Sequence, residues 1–260
     1  MSTPTTLRVW ESQAMVYRKI WRSHILLAFG QPLLYLLAMG LGVGALIDDN
    51  SASVDSLGGI SYFEYLAPAL LATTAMISAG QASLWEVLDG FLWSNRYRAM
   101  AATPLSPTQI ATGLGAWHAT RTLIGVTGVA VALAMFADTR TWGVVAAVPV
   151  AVLCGLAFAL PLSAWSATRY GGASFPSIIR FGLLPMFLLG GAFFPIDQLP
   201  DWLEPVAYVT PLWHAIELCR GFVIEAVDPG NVAVHLAVIS AYVVAGWLAC
   251  RITFTRRLMP

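Results

Sequence analysis

The stretch I-L-L-A-F-G-Q-P-L-L-Y-L-L-A-M-G-L-G-V-G-A-L-I, Ile25 to Ile47, holds no charged residue over 23 positions. A helix of that length rises roughly 35 Å at about 1.5 Å per residue, enough to cross the hydrocarbon core of a bilayer. Five further apolar runs follow, at 65–85, 107–137, 141–168, 172–195 and 229–250. The sequence therefore predicts an all-α membrane protein with six transmembrane helices. The whole chain, 1–260, reads as a single transmembrane domain, because short loops alone remain between the spans.

Composition agrees. Hydrophobic residues make up 58% and charged residues 11%, against about 25% charged in soluble domains. The formal net charge is zero, so no basic field argues for nucleic acid. Cys154, Cys219 and Cys250 lie far apart in apolar runs, which suits small apolar side chains better than a metal site or a disulfide. The long charged segment before Ile25 does not fit a cleavable signal peptide.

Charge sets an orientation. Arg8, Arg18, Lys19, Arg22, Arg96, Arg98, Arg169, Arg251, Arg256 and Arg257 fall in alternate loops, and the opposite loops hold only Arg140 and Arg220. The positive-inside rule places both termini of a multi-pass membrane protein in the cytoplasm. Trp21, Trp85, Trp93, Tyr97, Trp165, Tyr170 and Trp247 would mark the inner interface, and Tyr62, Tyr65, Trp142, Trp202, Tyr208 and Trp213 the outer one. Arg121 and Arg180 sit inside apolar runs, where snorkelling to the inner interface competes with a role in a polar cavity.

Within 4–22, Leu7, Trp10, Ala14, Tyr17 and Trp21 form one helical stripe, as expected of an amphipathic interfacial helix. Gln31-Pro32 predicts a kink in the first span. In the inner loop, Leu88, Phe91, Leu92, Asn95 and Ala99 share a helical face, and Ser106-Pro107 is a cap followed by proline at a helix start. A short surface helix at 88–107 would present a handle to a soluble partner. On the outer side Pro195, Pro200, Pro205 and Pro211 cut 196–225 into pieces too short to span. Thr210-Pro211 starts a helix over about 212–224, which reads as re-entrant or interfacial, with Glu217 and Arg220 spaced to pair.

Enzyme motifs are missing. There is no G-x-x-x-x-G-K-[ST], no H-E-x-x-H and no G-x-S-x-G, and the one lysine is Lys19; the chain cannot hold ATP in a P-loop of its own. His24, His118, His214 and His235 are scattered, and no carboxylate lies deep in a span as proton-coupled carriers require.

Leu183, Met186, Leu189-Gly190, Ala192, Leu199-Pro200, Pro211-Leu212-x-His214 and Arg220 together resemble the signature of ABC-2 type transporter permeases. Trp93, Tyr97, Ala99-Met100 and Thr103-Pro104-Leu105 resemble its nodulation branch, which exports lipo-oligosaccharides, and the daunorubicin-type drug exporters. The resemblance implies six spans, an N-terminal interfacial helix and short re-entrant helices before the last span. It implies a noncatalytic permease subunit working with two copies of a separate ATPase, which binds ATP and Mg, and with a second permease copy, either identical or a paralogue. Arg96, Tyr97, Arg98, Met100, Thr103, Pro104 and Leu105 would contact that ATPase. Gly190, Pro195, Pro200, Pro211, His214, Glu217 and Arg220 belong to the signature and re-entrant region. An amphipathic or lipid-linked cargo suits an aromatic pathway with little charge, and Phe29, Tyr35, Phe181, Met186, Phe187, Phe193 and Phe194 are candidates to line it, with core packing or lipid contact the equal alternative. A carrier or channel working without an ATPase, an intramembrane enzyme and a non-transporting anchor for an ATPase stay open.

Overall fold

The structure, a computed structural model, describes residues 5–226 and 229–259, without the side chains of residues 5, 20, 23–29, 31, 41, 52–53 and 229–230. The Phe29 side chain thus lies outside what is described. Helix accounts for 82% of the chain and no strand occurs among the described residues, as the all-α expectation requires.

Helix α1 (Thr5–Tyr35) continues through a π-helical stretch, Leu36–Val43, into α2 (Gly44–Asp48). A short α3 (Ser51–Ser56) precedes α4 (Tyr62–Leu88), which ends in a π turn at Asp89–Trp93. Then come α5 (Arg96–Ala101), α6 (Pro107–Ala134) and α7 (Gly143–Ser166). Helix α8 (Phe175–Ile178), a π turn at Ile179–Leu183 and α9 (Leu184–Leu189) form one short rod. Helices α10 (Glu204–Val209), α11 (Pro211–Val223) and α12 (Pro229–Leu258) complete the chain.

Local chemistry explains several starts. Ser61 caps α4: its hydroxyl accepts from Glu64 N while Glu64 Oε2 accepts from Ser61 N at 3.0 Å. Ser106 and Gln109 repeat this reciprocal pair at α6, with Pro107 at the first helical position, where its missing N–H costs nothing. Thr210 caps α11 by accepting from Trp213 N.

Helices α4 and α7 are the centre. Helix α4 is buried along most of its length and packs on α6, α7 and α11; α7 also touches α6, α11 and α12; α1 lies along α6. Close approach at the centre needs small residues: a Cβ on Gly155 of α7 would sit 2.6 Å from Thr122 Cγ2 and 3.3 Å from the Ala75 carbonyl. Among the described residues, Gly143–Ser166 and Asn231–Leu258 are long and apolar enough to cross a bilayer, while Pro32–Asp48 and Phe175–Leu189 are apolar but shorter. Helices α4 and α6 carry hydroxyl, amide and charged residues that dilute their hydropathy, and Thr73, Thr74, Ser78, Gln81, Glu86, His118, Arg121 and Thr122 among them line a cavity described below.

The structure corrects several expectations. The segment expected to be a separate interfacial helix over 4–22 runs unbroken into the rest of α1. Its buried face is Val9, Trp10, Gln13, Ala14 and Tyr17, packed against α5 and α6, while Leu7 and Trp21 of the expected stripe are exposed. Pro32 lies within helix, and the π-helical stretch begins about one turn later, at Leu36, and takes in Gly40 and Gly42. The predicted surface helix from Leu88 to Ala99 is broken at Asn95, whose φ of 50° ends the π turn before α5 begins. Of the aromatics assigned to interfaces, Trp93, Trp142, Tyr170 and Trp202 are exposed, whereas Tyr62, Tyr65 and Tyr97 belong to the core.

Candidate functional site

The candidate residues gather at two ends of the bundle, with a cavity between them. At one end, α5 forms a small platform. Tyr97 is fully buried and meets Phe91 at 4.9 Å and Phe254 of α12 at 5.4 Å, ring to ring. Gly90 has no side chain because the Tyr97 ring occupies that space. Arg96 donates to Gln13 Oε1 of α1 at 2.9 Å and pairs with Asp89 at 3.3 Å. Arg257, near the end of α12, donates to the Ala167 carbonyl at 2.5 Å and stacks over Phe91 at 4.2 Å. Helix α5 is thereby pinned to α1, α4 and α12. Burial pushes the Tyr97 hydroxyl far above its ordinary range, so it stays neutral.

This burial corrects one assignment: Tyr97 cannot be a contact for a soluble partner and serves instead as the anchor of the platform. Arg98, Thr103 and Pro104 are exposed, while Arg96, Met100 and Leu105 are half-buried; Met100 and Leu105 pack on the same cluster as Tyr97. The surface offered outward is the Arg98-to-Pro104 edge.

At the other end lies Arg220, on the inward face of α11. Its Nε donates to the Tyr65 carbonyl at 3.3 Å, Nη2 to the Gly191 carbonyl at 2.8 Å, and Nη1 pairs with Glu217 at 2.6 Å. The guanidinium carbon lies 3.7 Å from the centre of the Tyr65 ring. Gly191 has φ of +82°, a conformation that costs glycine little. Gly190 abuts Leu212, and a Cβ there would come within 2.7 Å of that side chain. Pro195 precedes the 3-10 turn Ile196–Gln198, Pro200 is exposed beyond it, and Pro211 opens α11. Arg220 and Glu217 thus build a polar clamp that ties α11 to α4 and to the segment after α9.

His214 and His235 are not scattered but paired, Nδ1 to Nδ1 at 2.7 Å between α11 and α12. His214 Nε2 lies 2.9 Å from the Tyr208 carbonyl. That carbonyl can only accept, so Nε2 carries the proton, Nδ1 of His214 accepts, and His235 donates.

Between the ends is a cavity of about 780 Å³ bounded by α1, α4, α6 and α9. Glu86 and Arg121 form an ion pair on its wall near the α5 end. His118 stands beside them, with Nδ1 3.8 Å from Glu86 Oε2 and Nε2 3.2 Å from Ser163 Oγ. Thr73, Thr74, Ser78 and Gln81 line the middle, and Tyr35, Leu70, Leu184 and Phe187 the far part. Arg121 therefore lies on the cavity wall, whereas Arg180 is exposed on the bundle surface. The order Ser163, His118, Glu86 follows that of a hydrolase relay, yet Ser163 is fully buried between helices and offers no nucleophile to a substrate. The cysteines are buried and free, and no group of three metal-ligating side chains occurs among the described residues.

Of the aromatics expected along a pathway, Tyr35, Phe187 and Phe193 come together, with ring centroids 5.0–6.3 Å apart, and Tyr35 and Phe187 face the cavity. Phe181 is exposed on the outer side of its π turn and Met186 lies at the surface. Phe194 turns to the separate Ile196, Leu199 and Ala207 cluster.

The pattern of the ABC-2 type transporter family matches residues 7–223. The chain is 30% identical to Nodulation protein J of Rhizobium leguminosarum bv. viciae over 97% of this chain and 95% of that protein. It is 28% identical to Nodulation protein J of Rhizobium meliloti (strain 1021) over 98% and 94%. With the Inner membrane transport permease YadH of Escherichia coli (strain K12) it shares 21% identity over 93% and 91%. On that near full-length correspondence, the chain belongs to the ABC-2 type transporter family.

Proposed function

We propose that this chain is the permease subunit of an ATP-driven exporter that moves an amphipathic or lipid-linked solute out of the cytoplasm or inner leaflet. Six membrane spans, formed by α1–α2, α4, α6, α7, α8–α9 and α12, hold it in the inner membrane with both termini cytoplasmic; α10 and α11 dip in from the outer side. Two copies, identical or paralogous, work with two copies of an ATPase that binds ATP and Mg.

The observation that carries this function is the platform at α5. Its exposed Arg98-to-Pro104 edge offers a small contact surface, and its buried half is fastened to three long helices through Phe91, Phe254, Gln13 and Arg257. A push on α5 by an ATPase is passed to α4 through the π turn at Asp89–Trp93, to α1 through Gln13 and to α12 through Phe254. Helices α1 and α4 also wall the cavity, so the same displacement reshapes it.

The test is co-purification with the ATPase from the native host, read as ATP hydrolysis in the isolated complex. Replacing the exposed pair Thr103-Pro104 by Gly-Ser, which leaves Leu105 in its cluster, should abolish both the association and the hydrolysis while the permease stays folded. Undiminished association in that variant would remove the platform from the contact.

A further inference from the structure

The last turns of α12 and the first turn of α6 enclose a groove of about 350 Å³, lined by Thr108, Leu248, Arg251, Ile252, Thr255 and Arg256. No carboxylate lines it among the described residues. Nor does either arginine pair with an acid there; the ion pairs among the described residues are made by Arg96, His118, Arg121 and Arg220. The positive charge of the groove is therefore uncompensated by those residues. Thr108 adds the start of α6, a helix of 28 residues, whose N-terminal end favours an anion.

Arg251 is held in place. Its guanidinium carbon lies 4.6 Å from the centre of the Trp247 ring, and Trp247 Nε1 donates to Thr112 Oγ1 of α6 at 3.1 Å. An arginine stacked on an indole presents the edge of its planar fork for two parallel bonds to an oxyanion.

An apolar track leads away from the charges. Val234, Ala237, Ala241, Ala245, Leu248 and Ile252 of α12 are exposed, and at about 100° per residue they fall in one stripe roughly 80° wide. Arg251 and Arg256 flank this stripe on opposite sides at its C-terminal end. From Ile252 to Ala241 it runs roughly 16 Å, about half of the roughly 30 Å hydrocarbon core and hence the depth of one leaflet. Two uncompensated cations at the head of an exposed apolar track fit a lipid with an anionic head. A soluble anion would leave the track unused, and an apolar chain alone would leave both cations without a partner.

We infer that this groove holds an anionic phospholipid of the inner leaflet, its phosphate between Arg251 and Arg256 and an acyl chain along Leu248 and Ile252. The lipid joins the first turn of α6 to the last turns of α12. Its site shares no residue with the cavity or with the outward edge of α5. The inference rests on the passage of α12 through the bilayer proposed above, and on neither the cargo nor the ATPase.

The experiment uses the full chain in phosphatidylcholine nanodiscs, with Val244→Cys carrying a thiol-linked fluorophore. Val244 is exposed beside the stripe and the native cysteines are buried, so the label reports on this face. Phosphatidylglycerol and phosphatidylcholine with brominated chains are titrated in as quenchers. Both carry the phosphate, but the choline cation of the second offsets it. Phosphatidylglycerol should reach half-quenching at about a tenfold lower mole fraction, which is about 1.4 kcal/mol. Arg251→Gln and Arg256→Gln should each lower that preference about threefold and together abolish it, whereas lysine at both positions should keep most of it. A label at Val131→Cys, exposed on α6 roughly 35 Å from Thr108 by helical rise, should show no preference, and unchanged quenching there in the double variant shows that the bundle stays folded. Millimolar glycerol 3-phosphate, a phosphate head without acyl chains, should leave the quenching at position 244 unchanged. Equal quenching by the two lipids, the same preference at position 131, a preference that survives the double variant, or displacement by glycerol 3-phosphate would overturn the inference. Equal quenching by both lipids removes the site alone, whereas quenching by neither also removes α12 from the bilayer and with it the proposed topology.

Discussion

Replacing Arg220 by methionine tests whether the clamp at the α11 end holds the bundle together. Methionine keeps the length and apolar stem of the side chain and removes five N–H donors. The Tyr65 and Gly191 carbonyls then lose bonds of 3.3 and 2.8 Å, and the Tyr65 ring loses a cation 3.7 Å from its centre. Bonds from a charged donor contribute about 1.5–3 kcal/mol each and a desolvated cation–π contact about 2. Partners found within the unfolded state in lipid reduce such values, to about 0.6 kcal/mol per bond on average in one well-measured membrane protein. The Glu217 pair is half-open to solvent, so screening leaves it about 0–1 kcal/mol. The contributions overlap, and a loss of about 3–5 kcal/mol is expected, in the range for breaking a buried pair. The assay is reversible unfolding in mixed micelles of rising dodecyl sulfate content, comparing Arg220→Met with Arg220→Lys. Lysine keeps the charge but cannot reach both carbonyls from one planar fork, so it should recover less than half of the loss. A loss below about 1 kcal/mol for methionine, or equal losses for the two variants, would refute the clamp.

Three further outcomes follow from the packing. Tyr97→Ala should cost about 3–5 kcal/mol of stability in the same assay, as expected for emptying an aromatic site in a core, whereas Arg98→Ala, on the exposed edge, should change stability by less than about 0.5 kcal/mol and weaken ATPase association. Gly90→Ala should destabilise the chain by about 1–3 kcal/mol through overpacking, since the new methyl group collides with the Tyr97 ring, and combining it with Tyr97→Ala should relieve most of that cost; a strictly additive double variant would contradict the contact. The His214–His235 bond requires an acceptor nitrogen, and burial together with the neighbouring His235 ring holds His214 below the ordinary histidine value, so the bond is intact above about 6.5 and is lost as pH falls below that through the lowered value. The stability difference between the native chain and His235→Phe, about 1 kcal/mol at pH 8, should shrink towards pH 5, and a difference independent of pH would exclude the assigned tautomers.

Much of this fold was legible where the signal is local. The Ser106-Pro107 and Thr210-Pro211 starts, the Glu217–Arg220 pair and the short rods between Pro195 and Asp228 follow from spacing alone. The stripe of residues 4–22 was half right, because period alone does not say which neighbour covers a helix: the buried face turned towards Val9 and Gln13 once α5 and α6 were in place. The break at Asn95 and the π turns left no clear mark, since each depends on how adjacent helices meet. Least legible was the cavity. Glu86, His118, Arg121 and Ser163 come from three helices, and nothing in the linear order states that their faces converge. A glutamate just after one apolar run and an arginine inside the next were the available hint. The same reasoning applies to His214 and His235, twenty-one positions apart and joined only by the crossing of α11 on α12.

The buried half of α5 has a mechanical consequence. A lever mounted on a flexible stalk wastes its stroke in bending, but this one is bolted at Phe91, Gln13 and Phe254 to three separate rods. It behaves as a crank rather than a hinge. If the proposed ATPase docks on this edge, torque applied at Pro104 would be spent on swinging whole rods, and loosening any single bolt should introduce slack between fuel use and cargo movement without stopping either.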